Sequence, residues 1–166
     1  MGAVLDLGCG TGLVGLAIGD LPIGPLTGVD LAPRMLAEAR AKGLYAELRE
    51  GDIVQELKVS GQTWPLIIAA DVFCYFEGLD DIFSAIYHSL EAGGWFVFSV
   101  ERLLTDFGRL SETQWSPGRH GRYAHAEHYV YEQLFAAGFR ILQHVRLAVR
   151  REAGADVPGL LIVAER

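Results

Sequence analysis

The sequence predicts a doubly wound α/β domain: a mostly parallel sheet of about seven strands, helices on both faces, and the last strand antiparallel. Three observations carry this prediction. Short apolar runs alternate with segments of helical periodicity, and a crossover helix places the next strand parallel to the last. The apolar runs are uninterrupted, as in strands buried on both faces. The final two runs follow each other with no helix between them, so at least one must turn back.

Residues 3–7 (AVLDL) form the first strand, closed by Gly8-Cys9-Gly10-Thr11-Gly12. Leu13, Val14, Leu16, Ala17 and Ile18 predict a buried helix. Pro22 and Pro25 break the chain before the second strand, residues 26–30. Residues 32–42 are good helix formers, with Met35, Leu36 and Ala39 on one face and Arg34, Glu38 and Lys42 on the other; Gly43 suits the stop. The third strand is expected over residues 45–49, closed by Glu50-Gly51-Asp52, and the fourth over 64–71. Leu79, Ile82, Phe83, Ile86 and Leu90 have helical spacing. Residues 91–94 make a turn into the fifth strand, 95–100. Residues 101–122 are polar and irregular, and 126–137 predict a helix that Gly138 ends. Residues 139–149 and 159–164 are the last two strands. With no repeat or linker, one domain over 1–166 is expected.

Composition excludes several classes. The chain has 166 residues, 51% of them hydrophobic, which is too apolar for a disordered protein. No apolar run approaches the ~20 residues of a membrane span, and the first nineteen residues lack the basic start of a signal peptide. Cys9 and Cys74 cannot build a disulfide framework or a four-thiolate zinc site, and a cytoplasmic location is expected. The net charge of −7 opposes nucleic acid and anionic membranes as partners. A small-molecule substrate is expected, and a homodimer is left open. Arg109, Arg119, His120 and Arg122 form a local basic patch, read as an anion- or substrate-binding feature.

The first loop carries the chemistry. Gly8, Gly10 and Gly12 follow a buried strand and open a helix, so backbone can approach a ligand closely there. Gly10 to Gly15 also match GxGxxG, a weak signal by itself for a dinucleotide. Asp6 opposes that reading, because an acid beside a pyrophosphate repels it, whereas an acid beside an ammonium attracts it. Asp30, ending the second strand, offers two oxygens to the two hydroxyls of a ribose, or caps the following helix.

Val4-Leu5-Asp6-Leu7-Gly8-Cys9-Gly10-Thr11-Gly12 resembles the first motif of the Rossmann-like, class I S-adenosylmethionine-dependent methyltransferases. Asp30, Asp52 in Glu50-Gly51-Asp52-Ile53, Asp71 at the end of the fourth strand, and the turn Leu90 to Val97 fall where that family has its later motifs. The resemblance implies S-adenosyl-L-methionine as cofactor and S-adenosyl-L-homocysteine as product. Asp6, Gly8, Cys9, Gly10 and Gly12 would hold the methionine end and Asp30 the ribose. Leu31 and Met35 would pack on the adenine, unless they are ordinary core. Asp52 and Ile53 would meet the adenine edge, unless Asp52 is a solvated turn acid. Asp71 would face the methyl donor, orienting it or accepting a proton.

A narrower likeness rests on Asp71-Val72-Phe73-Cys74-Tyr75-Phe76 and on Gly121-Arg122-Tyr123-Ala124-His125. These are similar to a bacterial branch often attached to tetratricopeptide repeats. Tyr75 and Phe76 would form one wall of an acceptor pocket, and Arg122, Tyr123 and His125 another. Asp71, Tyr75 and His125 are the catalytic candidates, with His125 as general base. His125 and His128 lie three apart on a helical face, yet no third convincing ligand joins them, so no metal is expected. Relatives in the family usually carry an N-terminal helix or lid; the chain begins just before its first strand, so that element is expected to be lacking. A nicotinamide-dependent oxidoreductase and a non-catalytic cofactor-binding domain are the alternatives.

Overall fold

The computed structural model describes residues 2–104, 113–118 and 121–166. Strand β1 (Val4–Leu7) is buried throughout and lies in mid-sheet. It pairs in parallel with β2 (Leu26–Asp30) on one side and β4 (Trp64–Ala69) on the other. Beyond β2, the half-exposed β3 (Glu47–Glu50) forms one edge. Beyond β4 lies β5 (Leu90–Glu101), also parallel. The final hairpin, β8 (Arg140–Glu152) and β9 (Ala155–Glu165), completes a seven-stranded sheet in the order β3-β2-β1-β4-β5-β9-β8. Strand β9 is antiparallel to both neighbours, as expected of the last strand. The strand order reverses between β1 and β4, and ligands of such sheets bind at the carboxyl ends flanking that switch.

The helices are α1 (Leu13–Ile18), α2 (Pro33–Ala41), α3 (Ile53–Val59), α4 (Asp80–Ser89) and α5 (Glu127–Ala137). Helix α4 buries Ile82, Phe83 and Ile86, the residues its periodicity selects. Phe73, Phe83, Phe96 and Phe98 are buried together, with Phe73 edge-on to the other three at 5.5–6.0 Å. Such pairs add ~0.5–1.5 kcal/mol each beyond area burial. This cluster anchors the segment after β4 that begins at Asp71.

Several expectations are corrected. Helix α1 is only partly buried: Leu13 and Leu16 are exposed, Gly15 is buried, and Val14 and Ile18 pack half-buried against Val4, Leu26 and Ile68. Tyr45 lies ahead of β3, and its hydroxyl reaches across to Asp6 of β1, the second strand over. Helix α3 follows Asp52 where a plain turn was read; Asp52 is its N-cap. Residues 90–94 join β5 through an irregular register against β4, with Gly93 at φ 75° in the left-handed region. The segment 101–122 is not wholly irregular: β6 (Trp115–Pro117) pairs with β7 (Tyr123–His125). Of the basic patch, Arg109, Arg119 and His120 lie outside the described residues, leaving Arg122. Among the described residues no helix is long and apolar enough to cross a membrane.

Candidate functional site

Gly8, Gly10 and Gly12 all have positive φ (67°, 53° and 87°), which side-chain-bearing residues rarely adopt. The amides of Gly8 and Cys9 both donate to the Val29 carbonyl, at 2.8 and 3.0 Å, tying the loop to the end of β2. At Gly8 a Cβ would lie 2.5 Å from Val72 Cγ2, so the loop and the segment after β4 meet with no room for a side chain. Gly15, the third glycine of the GxGxxG match, serves packing: a Cβ there would lie 2.9 Å from the Tyr45 ring.

Asp30 holds the crevice together. Its Oδ2 accepts from the Gly10 amide at 2.8 Å, and its Oδ1 accepts from the Ala32 amide at 2.8 Å. It is therefore not the N-cap of α2, a position Ala32 takes. Each carboxylate oxygen retains acceptor capacity, and the bidentate orientation is fixed by backbone. Leu31 and Met35 are 67% and 44% exposed, which excludes the ordinary-core reading. Asp52 is exposed, and its Oδ1 accepts from the Gln55 amide as a helix cap. Ile53 is buried by its side chain, while its amide lies in the first turn of α3, where helical geometry supplies no partner.

Asp6 is fully buried beneath the loop. Its Oδ2 accepts from the Tyr45 hydroxyl at 2.6 Å, and that hydroxyl accepts in turn from the Gly15 amide. Among the described residues its Oδ1 has no hydrogen-bond partner. Burial pushes the carboxyl up to about 7, opposed by the Tyr45 hydrogen bond and reinforced by the charge of Asp30. A buried carboxylate oxygen without a partner is costly, and a cationic ligand group would satisfy it. Burial also pushes the Cys9 thiol up to about 12, so Cys9 acts as a small neutral wall.

The side expected to meet an acceptor lies after β4. Asp71 adopts φ 55°, an unusual conformation for a residue with a side chain, and its amide donates to Ser99 Oγ at 3.0 Å. Tyr75 is 60% exposed, and Phe76 and Tyr123 are half-buried. Arg122 Nη2 donates to the Tyr75 hydroxyl at 3.1 Å, and its guanidinium carbon stands 5.4 Å from the ring centroid. Asp71, Cys74 and Glu101 approach closely enough to share a cation, but Arg150 Nη1 lies between the two carboxylates, at 3.0 and 2.6 Å. Burial, with the charge of Asp71, pushes the Cys74 thiol up to about 12, so it is a neutral thiol at neutral pH.

His125 does not stand where it was expected. It is fully buried, because pairing of β7 with β6 directs it inward, onto the ring of Tyr129 in α5. Its Nε2 donates to the Glu77 carbonyl at 3.2 Å, and burial lowers its pKa. It is a neutral interior group rather than a base lining an open pocket. Sequence reasoning also missed Tyr45, Lys42, whose Nζ donates to the Thr11 carbonyl at 2.6 Å, and Arg150. None of the three sits in a local pattern that signals its partner, which lies on another element.

Comparison with known proteins agrees with this geometry. A curated demethylmenaquinone methyltransferase from Chlorobaculum parvum is 31% identical over 91 residues, 55% of this chain. That match takes in 37% of the relative, so the aligned stretch spans little more than a third of its length. An S-adenosylmethionine dependent methyltransferase from Mesorhizobium loti superposes with a TM-score of 0.75 at 22% identity, covering 99% of this chain and 90% of that one. The cyclase SpnF superposes with a TM-score of 0.74 at 19% identity, covering 99% and 75%, so the fold does not by itself fix the reaction. The glycine loop, Asp6, Asp30, Asp52 and Asp71 all fall within residues 4–94, the stretch matched by the family model described as Methyltransferase domain, and the chain belongs to that family.

Proposed function

We propose that the protein transfers a methyl group from S-adenosyl-L-methionine to a small molecule, releasing S-adenosyl-L-homocysteine. The observation that carries this is Asp6: a buried carboxylate with one partnerless oxygen under the glycine loop suits the ammonium of a methionine tail and would repel a dinucleotide's pyrophosphate. Gly8, Cys9, Gly10 and Gly12 would line that tail, and Asp30 would hold the ribose. Leu31, Met35, Asp52 and the Ile53 amide would bound the adenine. The cofactor supplies a methyl group on a sulfonium sulfur. The chain's own work is then to position the acceptor and exclude water, which can contribute several kcal/mol through orientation alone.

Asp71 stands at the carboxyl end of β4, where donor and acceptor sides meet, and serves orientation first. Tyr75, Phe76, Arg122 and Tyr123 form the acceptor walls. Support for the finer grouping, with the branch attached to tetratricopeptide repeats, is the Asp71–Phe76 and Gly121–His125 segments, which lie together around that wall.

Calorimetric titration with S-adenosyl-L-homocysteine and with NADH tests the reading. The adenosyl compound should bind and NADH should not. Asp30→Ala removes the acceptor of two loop amides as well as the ribose partner, and should weaken S-adenosyl-L-homocysteine binding by about a hundred-fold or more. Tight NADH binding, or an unchanged affinity in the variant, would overturn it.

A further inference from the structure

Strand β8 ends in a bulge. Ala148 pairs with Pro158 and Arg150 with Val157, so Val149 is the extra residue. Gly159 makes the bulge feasible: a Cβ there would lie 2.1 Å from Val149 Cγ1. Bulges re-aim the side chains beside them, and this one delivers Arg150 to the end of β4. Arg150 Nη1 donates to Asp71 Oδ1 and to Glu101 Oε1, and its Nη2 donates to Glu152 at 2.9 Å.

Arg122 approaches the same two acids from the other side. Its Nη1 lies 3.8 Å from Asp71 Oδ2 and 3.8 Å from Glu101 Oε1. At that distance neither bond is made, and among the described residues Nη1 is a buried donor without a partner. The two acids are not equivalent. Glu101 has a side chain 12% exposed and is the internal counter-ion, whereas that of Asp71 is 40% exposed. Two guanidinium forks therefore converge beside one replaceable carboxylate, next to the exposed ring of Tyr75.

We infer that Arg150 and Arg122 together recognise the acceptor, and that this acceptor carries a carboxylate on a flat apolar body. The acceptor's carboxylate takes the place of Asp71 between the two guanidinium groups and serves the unpartnered Arg122 Nη1, while Tyr75 covers the apolar body. An amine in the same place offers no acceptor and would leave that donor unserved. This inference deepens the methyltransferase reading and rests on it for what the site does with the bound acid.

The test uses the full chain and three probes of one shape: benzoate, benzamide and benzylamine. Each is titrated calorimetrically into the protein, with and without saturating S-adenosyl-L-homocysteine. Benzoate should bind about ten-fold tighter than benzamide or benzylamine, since a site built for a charged fork rejects analogues that cannot serve it. Arg150→Gln and Arg122→Gln should each erase that preference, and Arg150→Lys should restore part of it. Asp71→Asn removes the internal competitor, so benzoate should bind several-fold tighter and benzamide no better. That gain is one that neither misfolding nor a purely structural role produces. Equal binding of the three probes, no binding of benzoate, or weaker benzoate binding in Asp71→Asn would overturn the inference. Failure of S-adenosyl-L-homocysteine to bind, with the benzoate preference intact, would count against the cofactor reading alone.

Discussion

Replacing Asp6 by Asn should uncouple cofactor binding from protons. Burial holds the Asp6 carboxyl at about 7, against an ordinary 3.8. That shift of about three units corresponds to ~4 kcal/mol favouring the protonated form in the ligand-free fold. Its neighbours reinforce this: Asp30 and Cys9 offer no positive charge, and the Tyr45 hydroxyl donates to one oxygen only. An ammonium arriving at the partnerless Oδ1 favours the carboxylate, so binding below pH 7 must expel a proton. With a pKa near 7, about nine-tenths of a proton should be released at pH 6 and about a tenth at pH 8, and S-adenosyl-L-homocysteine should bind about ten-fold tighter at pH 8. Calorimetry in two buffers of different ionisation enthalpy counts those protons. The stability of the ligand-free protein should run the other way. The folded pKa lies above the unfolded one, so stability from this group is full below about pH 4 and declines as pH rises towards 7. Asp6→Asn should flatten both dependences, weaken binding at pH 8, and raise the ligand-free melting temperature there. An affinity that is constant from pH 6 to 8 in the unaltered protein, or the same slope in Asp6→Asn, would refute the reasoning.

Two further outcomes follow from the packing. Phe73→Ala removes the ring at the centre of the aromatic cluster and should cost about 3–5 kcal/mol in chemical denaturation, loosening Asp71 two residues away. Gly159→Ala should cost about 1–3 kcal/mol by driving its methyl into Val149, and adding Val149→Ala should recover part of the loss, because the residue-149 Cβ and the Val100 carbonyl oxygen stay 3.0 Å away; a double variant with no recovery would dissociate the bulge from the glycine.

The sheet was legible because its strands are apolar runs bounded by glycine, proline or acid, and the crossover rules leave few ways to arrange them. The cofactor crevice was legible for the same local reason: Asp6, the glycines and Asp30 sit at strand ends. Helix α3 was missed although Asp52 and Gln55 have the spacing of a capping pair, because its β-branched residues and the preceding Gly51 favour a turn. Helix α1 was half legible: Val14 and Ile18 face the core as expected, while Leu13 and Leu16 fall on the opposite side of a six-residue helix and are exposed. The inward turn of His125 depends on a three-residue pairing too short to leave a pattern. Arg150 lies 79 residues from Asp71, and only a register shift in a hairpin brings them together.

That division of labour has a consequence for how such a protein can change. On the proposed reading the nucleoside end falls to the first third of the chain, while the arginine that would face the acceptor arrives from the β8–β9 hairpin. Swapping that hairpin as a cassette would exchange one selectivity for another while leaving donor capture to segments it does not contain. Chimeras exchanged at Gly138, the left-handed stop before β8, are the natural way to diversify what this scaffold modifies.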